Sequence, residues 1–265
     1  MLKIIGTSLI GIIHRKRSGK LQDFFDIYLN YSRYIYYNDS RIDELIIKGV
    51  KGIDYAFVFV ADGAGSARYG GDGARYAVNS VMNFVKGKAF DNDTPEQLLR
   101  QILKVALDGV RRGANELNAS IDDLATTFIA LYTRGKECFS VSVGDGFVII
   151  DDGNELRLLN EPVKGEYFNE TQFITSPEVI RAIEDELIEV RSSGCNAFAV
   201  ATDGLWPTII NGKPYERFYR PVIDYLRVND VDRTADELVN LLRSAQGRYP
   251  SVYDDDLTLV VGAYE

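Results

Sequence analysis

The chain has 265 residues, 46% of them apolar and 26% charged, with a net charge of −9 at pH 7. This is the composition of a soluble globular protein with ample length for a core, and its acidity excludes a general nucleic-acid or anionic-membrane surface. No apolar run approaches the ~18 residues that span a bilayer; a single histidine with two separated cysteines excludes a zinc site of nitrogen and sulfur ligands and argues against Ser-His-Asp or Cys-His catalysis.

In chain order, residues 3–13 read as a strand. The apolar start is followed by the basic cluster His14-Arg15-Lys16-Arg17, the reverse of a secretory signal's order. That cluster is expected as a solvated hairpin, with His14 a surface or hairpin residue. A strand follows at 24–29, then a polar, Tyr-rich stretch at 31–51 that carries no assignment. Residues 55–61 form a strong strand pattern leading into the small-residue loop Asp62-Gly63-Ala64-Gly65-Ser66. A helix fits 73–85, with Ala74, Ala77, Val78, Val81, Met82 and Val85 on one face. The next helix opens at Thr94-Pro95, with Gln97 completing a capping box. Strands are expected at 126–132, 137–143, 147–150 and 156–159. A polar connection covers 161–171, a short strand follows, and Ser176-Pro177 opens a short helix. Residues 186–191 and 197–202 read as strands around a Ser192-Ser193-Gly194 turn. Helices fit 215–227 and 235–245, the latter behind a Thr234…Glu237 capping box, and the last strand is 257–263. Strands joined mostly by hairpins, with helix pairs between, make an α+β chain, read as one domain over 1–265. Cys138 and Cys195 are expected as buried thiols in a reducing cytoplasm.

Three of the apolar runs end in Asp-Gly: at Asp62-Gly63, at Asp145-Gly146 and at Asp203-Gly204. A fourth is reversed, with Asp254-Asp255-Asp256 preceding it. Asp-Gly is a common turn dipeptide. Asp152-Gly153, between 148–150 and 156–158, fits that role, and Asp72 and Asp108 fall in helical patterns. The other three sit where buried strands end, at the rim of a rigid sheet. Carboxylates that converge there repel one another unless a cation neutralises them, and hard divalent ions prefer oxygen ligands. The pattern reads as a carboxylate-ligated metalloenzyme.

These residues resemble the metal-dependent protein phosphatases of type 2C, bacterial branch. Gly6-Thr7-Ser8 with Gly19-Lys20-Leu21-Gln22-Asp23 resembles the first motif, and Val60 to Ser66 with the following helix resembles the second. Ala125-Thr126-Thr127 and Val143-Gly144-Asp145-Gly146 are similar to the central strands. The segment 165–171 resembles a bacterial signature, and Ala201 to Leu205 and Asp255-Asp256-Leu257-Thr258 resemble the closing motifs.

The resemblance implies two antiparallel sheets packed face to face with helices outside (αββα). It implies Mn²⁺ or Mg²⁺, two ions and a weaker third. Asp62 would bridge the pair and the Gly63 carbonyl would bind one of them. Asp203 and Asp255 would complete the first ion, Asp23 would serve the second, and Asp145 the third. Asp62 and Asp203 would act in catalysis, with Arg17 or Lys20 on the phosphate, Arg17 slightly ahead. The reaction would be in-line attack of a dimetal-bridging hydroxide on a phosphomonoester of Ser or Thr in a protein. Two positions depart from the family pattern: Gln22, where an acid is common, and Ala64, where a histidine is common.

Asp254 to Thr258 also satisfies the Asp-x-Asp-x-Thr motif of haloacid-dehalogenase-like phosphatases, but that motif follows an early strand rather than preceding the last. The other alternative is a catalytically weak or inactive family member acting as a phosphoprotein-binding scaffold. Asp62, Asp203 and Asp255 together favour catalysis. The expectation is a cytoplasmic Ser/Thr phosphatase with a phosphoprotein substrate and a cognate kinase, and without nucleic acid or membrane.

Overall fold

The computed structural model describes residues 2–17, 20–29, 35–37, 44–48, 51–52, 55–87, 93–160 and 171–265. In chain order the elements are β1 (Leu2–Leu9), α1 (Ile12–Arg17), β2 (Asp23–Leu29), β3 (Ile35–Tyr37), β4 (Glu44–Lys48), β5 (Lys51–Gly52), β6 (Tyr55–Asp62), α2 (Gly70–Lys86), α3 (Pro95–Glu116), β7 (Phe128–Arg134), β8 (Glu137–Val143), β9 (Phe147–Asp151) and β10 (Leu156–Asn160). They continue with α4 (Pro177–Glu184), β11 (Arg191–Gly194), β12 (Ala197–Ala201), the small hairpin β13 (Ile209–Ile210) and β14 (Lys213–Pro214), α5 (Glu216–Val228), α6 (Val231–Arg248) and β15 (Leu257–Tyr264).

Among the described residues one sheet runs β10-β9-β12-β15-β1-β4-β3, with β5 also on β1, and a second runs β11-β8-β7-β6-β2. The pairings are antiparallel, and the α+β sandwich expected from the sequence is the architecture observed. Strand alternation explains the layering. In β6, Phe57, Phe59 and Ala61 face α2 and α3, while Ala56, Val58 and Val60 face the other sheet with Phe25, Ile27, Phe198 and Val260. On the far side Leu259 and Val261 of β15 pack beneath Tyr219, Ile223, Leu238 and Leu242 of α5 and α6. The strands are apolar on both faces because both faces are covered.

Helix starts follow local chemistry. Thr94 accepts from the Gln97 N–H and the Gln97 side chain accepts from the Thr94 N–H, the expected capping box. α6, in contrast, begins at Val231 with Asp230 as its cap rather than behind Thr234. The Thr234 hydroxyl instead donates to the Asp230 carbonyl one turn back.

Three further expectations are corrected. The stretch read as strand 3–13 ends at Leu9, and the basic cluster lies in the short helix α1 rather than a hairpin. The strand expected at 186–191 is displaced to Arg191–Gly194, so Ser192-Ser193-Gly194 is strand and pairs with β8. Cys138 and Cys195 are not separate thiols but form a disulfide, both halves buried, where the chain passes from β11 in one sheet to β12 in the other.

Candidate active site at the sheet rim

β2 and β6 pair so that Asp23 stands directly opposite Asp62. Cross-strand partners share a face with Cβ atoms about 5 Å apart, and like charges there are destabilising. On the same edge β12 ends at Ala201, β9 begins at Phe147 opposite it, and β15 begins at Leu257. The turns at these ends deliver Asp203, Asp145 and Asp255 to one cleft of about 170 Å³, which Asp62 and Gly63 also line.

The backbone around Asp62 is held from both sides. Its carbonyl accepts from the Thr126 hydroxyl (2.9 Å) and the Thr127 N–H (2.8 Å), and its N–H donates to Thr127 Oγ1 (3.0 Å). The next residue must be glycine for packing reasons. A Cβ on Gly63 would stand 2.2 Å from the Gly70 carbonyl carbon, where α2 begins. Gly204 is similarly enclosed, its Cβ position 2.0 Å from the Asp256 carbonyl oxygen. Close backbone approach thus brings the Asp62 and Asp203 loops against their neighbours.

Asp23 lies deeper, 2% exposed. Its Oδ2 accepts from Thr202 Oγ1 (2.8 Å) and Thr258 Oγ1 (2.5 Å), and the Thr258 hydroxyl is itself bonded to Ser8. Its other oxygen, Oδ1, is buried without a hydrogen-bond partner. Burial raises the Asp23 pKa well above the usual carboxylate range, and Asp256 adds to this. Asp62 is raised for the same first reason, then by the charges of Asp23, Asp203, Asp255 and Asp145. Asp203 is pushed up to about 7, by burial first and then by Asp145 and Asp255. Burial also raises Asp255. An orphaned buried oxygen and carboxylates that resist ionising side by side fit a divalent cation among them. Oxygen donors of this kind suit Mg²⁺ or Mn²⁺.

The three consecutive aspartates separate by role. Asp255 lines the cleft, whereas Asp256 is 2% exposed and accepts from the N–H groups of Gly11 (2.6 Å), Gln22 (2.7 Å) and Asp23 (3.3 Å). Asp256 therefore ties α1 and the start of β2 to the start of β15. Asp145 is oriented by the Thr171 hydroxyl on Oδ2 (2.6 Å) and by the Trp206 indole N–H on its carbonyl (3.0 Å).

His14 contradicts the surface reading. It lines the cleft with Nδ1 3.0 Å from Asp256 Oδ1 and Nε2 3.6 Å from Asp255 Oδ1. The contact with Asp256 raises its pKa, against the opposing effect of burial. Of the phosphate-binding candidates, Lys20 is exposed and outside the cleft lining. Arg17 ends α1, and its side chain, like Ser18 and the segment 165–170, lies outside the described residues. Sequence reasoning missed His14, Thr202, Thr258 and the tethering role of Asp256. Thr202 and Thr258 flank expected ligands in sequence, which is the signal that pointed nearest to them.

A family model for protein phosphatase 2C matches residues 35–243. The curated Serine/threonine-protein phosphatase 3 of Escherichia coli K12 is 29% identical over 212 residues, covering 78% of this chain and 83% of that protein. The structure of the S. agalactiae serine/threonine phosphatase superposes over all of both chains with TM-score 0.64 at 18% identity. The catalytic domain of the phosphatase PstP, solved with two manganese ions, superposes with TM-score 0.59 at 15% identity over 99% of each chain. Asp62, Gly63, Asp145 and Asp203 fall inside the matched stretch, whereas His14, Asp23 and Asp255 lie outside it. The match covers well over half of the sequence, and the chain belongs to the protein phosphatase 2C family.

Proposed function

We propose that this cleft hydrolyses phosphoserine and phosphothreonine in proteins with two Mn²⁺ or Mg²⁺ ions held by its aspartates. The observation that carries the reading is Asp23 opposite Asp62 at the rim, one buried oxygen of Asp23 unpaired and three further carboxylates turned to the same space. Asp62 would bridge the ions and the Gly63 carbonyl would bind one. Asp203 and Asp255 would complete the first ion, Asp23 the second, and Asp145 a weaker third. When bound, the ions lower the pKa of the attacking water and neutralise the phosphoryl oxygens.

The chain's own residues fix the geometry. Thr202 and Thr258 both bond Oδ2 of Asp23, and the Thr126–Thr127 clamp holds the Asp62 backbone. Among the described side chains no Arg or Lys lines the cleft. Phosphate charge is thus met by the ions and by Arg17 at the end of α1, with Lys20 the alternative. The exposed Gly65 and Ser66 leave the mouth open to a substrate presented on another protein.

The family supports a signalling role opposite a cognate kinase. No described helix is long and apolar enough to cross a membrane. We place the enzyme in the cytoplasm as one domain, where burial of the Cys138–Cys195 bridge shields it from thiol exchange. The scaffold alternative would keep the fold while losing aspartates, which this chain has not done. Phosphoserine, phosphothreonine and phosphotyrosine peptides incubated with Mn²⁺, Mg²⁺ or EDTA test the reading. Metal-dependent release from the first two is expected, and no release with any ion would overturn it.

A further inference from the structure

His14 is the chain's single histidine, and its two ring nitrogens have different neighbours. Nδ1 lies 3.0 Å from Oδ1 of the buried Asp256, and Nε2 turns to Asp255 Oδ1 at 3.6 Å. Nδ1 is in ion-pair contact with the Asp256 carboxylate without being aligned for a hydrogen bond, and a carboxylate beside one ring nitrogen orients a ligating histidine and raises its basicity at the other nitrogen. Asp256 is in turn anchored by the Gly11 and Gln22 N–H groups, so the imidazole is held by a rigid base rather than a mobile side chain. Two donors on one octahedral ion stand about 3 Å apart, close to the observed Nε2–Oδ1 separation. The side chain of His14 is 14% exposed and that of Asp255 49%, which leaves the space between them accessible to an ion from the cleft.

We propose that His14 Nε2 joins Asp255 as a ligand of the first ion, so that one of the two ion positions carries a nitrogen donor. This rests on the two-ion reading above and refines it. Imidazole adds affinity for Co²⁺, Ni²⁺ and Zn²⁺ along the usual order of divalent ions and little for Mg²⁺, which prefers oxygen and its own water. The site therefore selects transition ions over Mg²⁺, and Asp256 acts as the positioning residue behind the imidazole.

The test uses electron spin echo modulation of untagged protein titrated with Mn²⁺ to saturation, because ¹⁴N coupling of a histidine can come from His14 alone. The comparison variant is His14→Asn, whose amide N–H can still reach Asp256 while Nε2 is gone. Expected are histidine ¹⁴N modulation in the wild type, its loss in His14→Asn, and a fall in Co²⁺ affinity of about 10–100-fold with Mg²⁺ affinity nearly unchanged. Mn²⁺ bound without histidine modulation would overturn this inference and leave the phosphatase reading standing. Protein that binds no Mn²⁺ would overturn both.

Discussion

Asp203 illustrates how the site stores its metal requirement in single residues. Its carboxyl ionises near 3.8 when unperturbed and near 7 in the folded, metal-free protein. The folded state thus keeps a proton that the unfolded state releases, and the stability this gives below about pH 4 is lost as pH rises to 7. Asp62, Asp23 and Asp255 shift in the same direction, as does Asp26, raised to about 6 by burial. In EDTA the melting temperature is expected to fall by roughly 5 °C or more between pH 5 and 8, and saturating Mn²⁺ should remove most of that fall. A flat EDTA profile would mean that the carboxylates ionise without mutual cost. Asp62, Asp145 and Asp203 were legible because each ends a strong apolar run and Asp255 because it precedes one, whereas Asp23 came from the family resemblance. His14 was not, because the residues that follow it, Arg15 and Lys16, are basic and exposed while its partners, Asp255 and Asp256, lie at the other end of the chain.

At the scale of elements, the site depends on where strands stop and how tightly loops approach. Gly63→Ala puts a methyl into the backbone at Gly70. It should cost about 1–3 kcal/mol and weaken metal binding by moving the Asp62 loop off the start of α2. Thr94→Ala removes a cap that does not line the cleft. It should cost about 1 kcal/mol and leave metal affinity unchanged. Thermal melts with parallel calorimetric titration of Mn²⁺ separate the two, and equal effects on affinity would contradict the loop argument. α3 was readable to its first residue because Thr94, Pro95 and Gln97 carry their own start signal. α2 was expected from Gly73, yet it begins at Gly70, since Gly70-Gly71 is a poor helix former that tertiary packing against Ala64 recruits. β11 was displaced for a related reason. Ser192-Ser193-Gly194 has the composition of a turn, and only the register with Phe139 and Cys138 of β8 makes it a strand.

For the whole molecule, four layers place two sheet rims side by side, and the carboxylates converge only because both sheets end at the same edge. The αββα arrangement was legible through the alternation of hairpin-linked strands and helix pairs together with the family resemblance. The crossing from β11 to β12 was not, because a disulfide between residues 57 apart follows from proximity that sequence does not display. Closing a loop of that length stabilises by about 2–4 kcal/mol. The Cys138→Ala/Cys195→Ala double variant should lose about that much in denaturant unfolding while keeping its metal-dependent activity. Activity lost in a variant that is still folded would tie the bridge to the cleft.

The most direct test of the central claim is the hydrolysis rate of a phosphothreonine peptide by Asp62→Asn and Asp203→Asn beside the wild type, each shown folded by circular dichroism and each saturated with Mn²⁺. Both substitutions remove a charge at the rim and should improve metal-free stability. Both are nonetheless predicted to lower the rate by at least about a hundredfold, some 2.7 kcal/mol of transition-state stabilisation. A folded Asp62→Asn variant that hydrolyses the peptide at the wild-type rate would contradict the account.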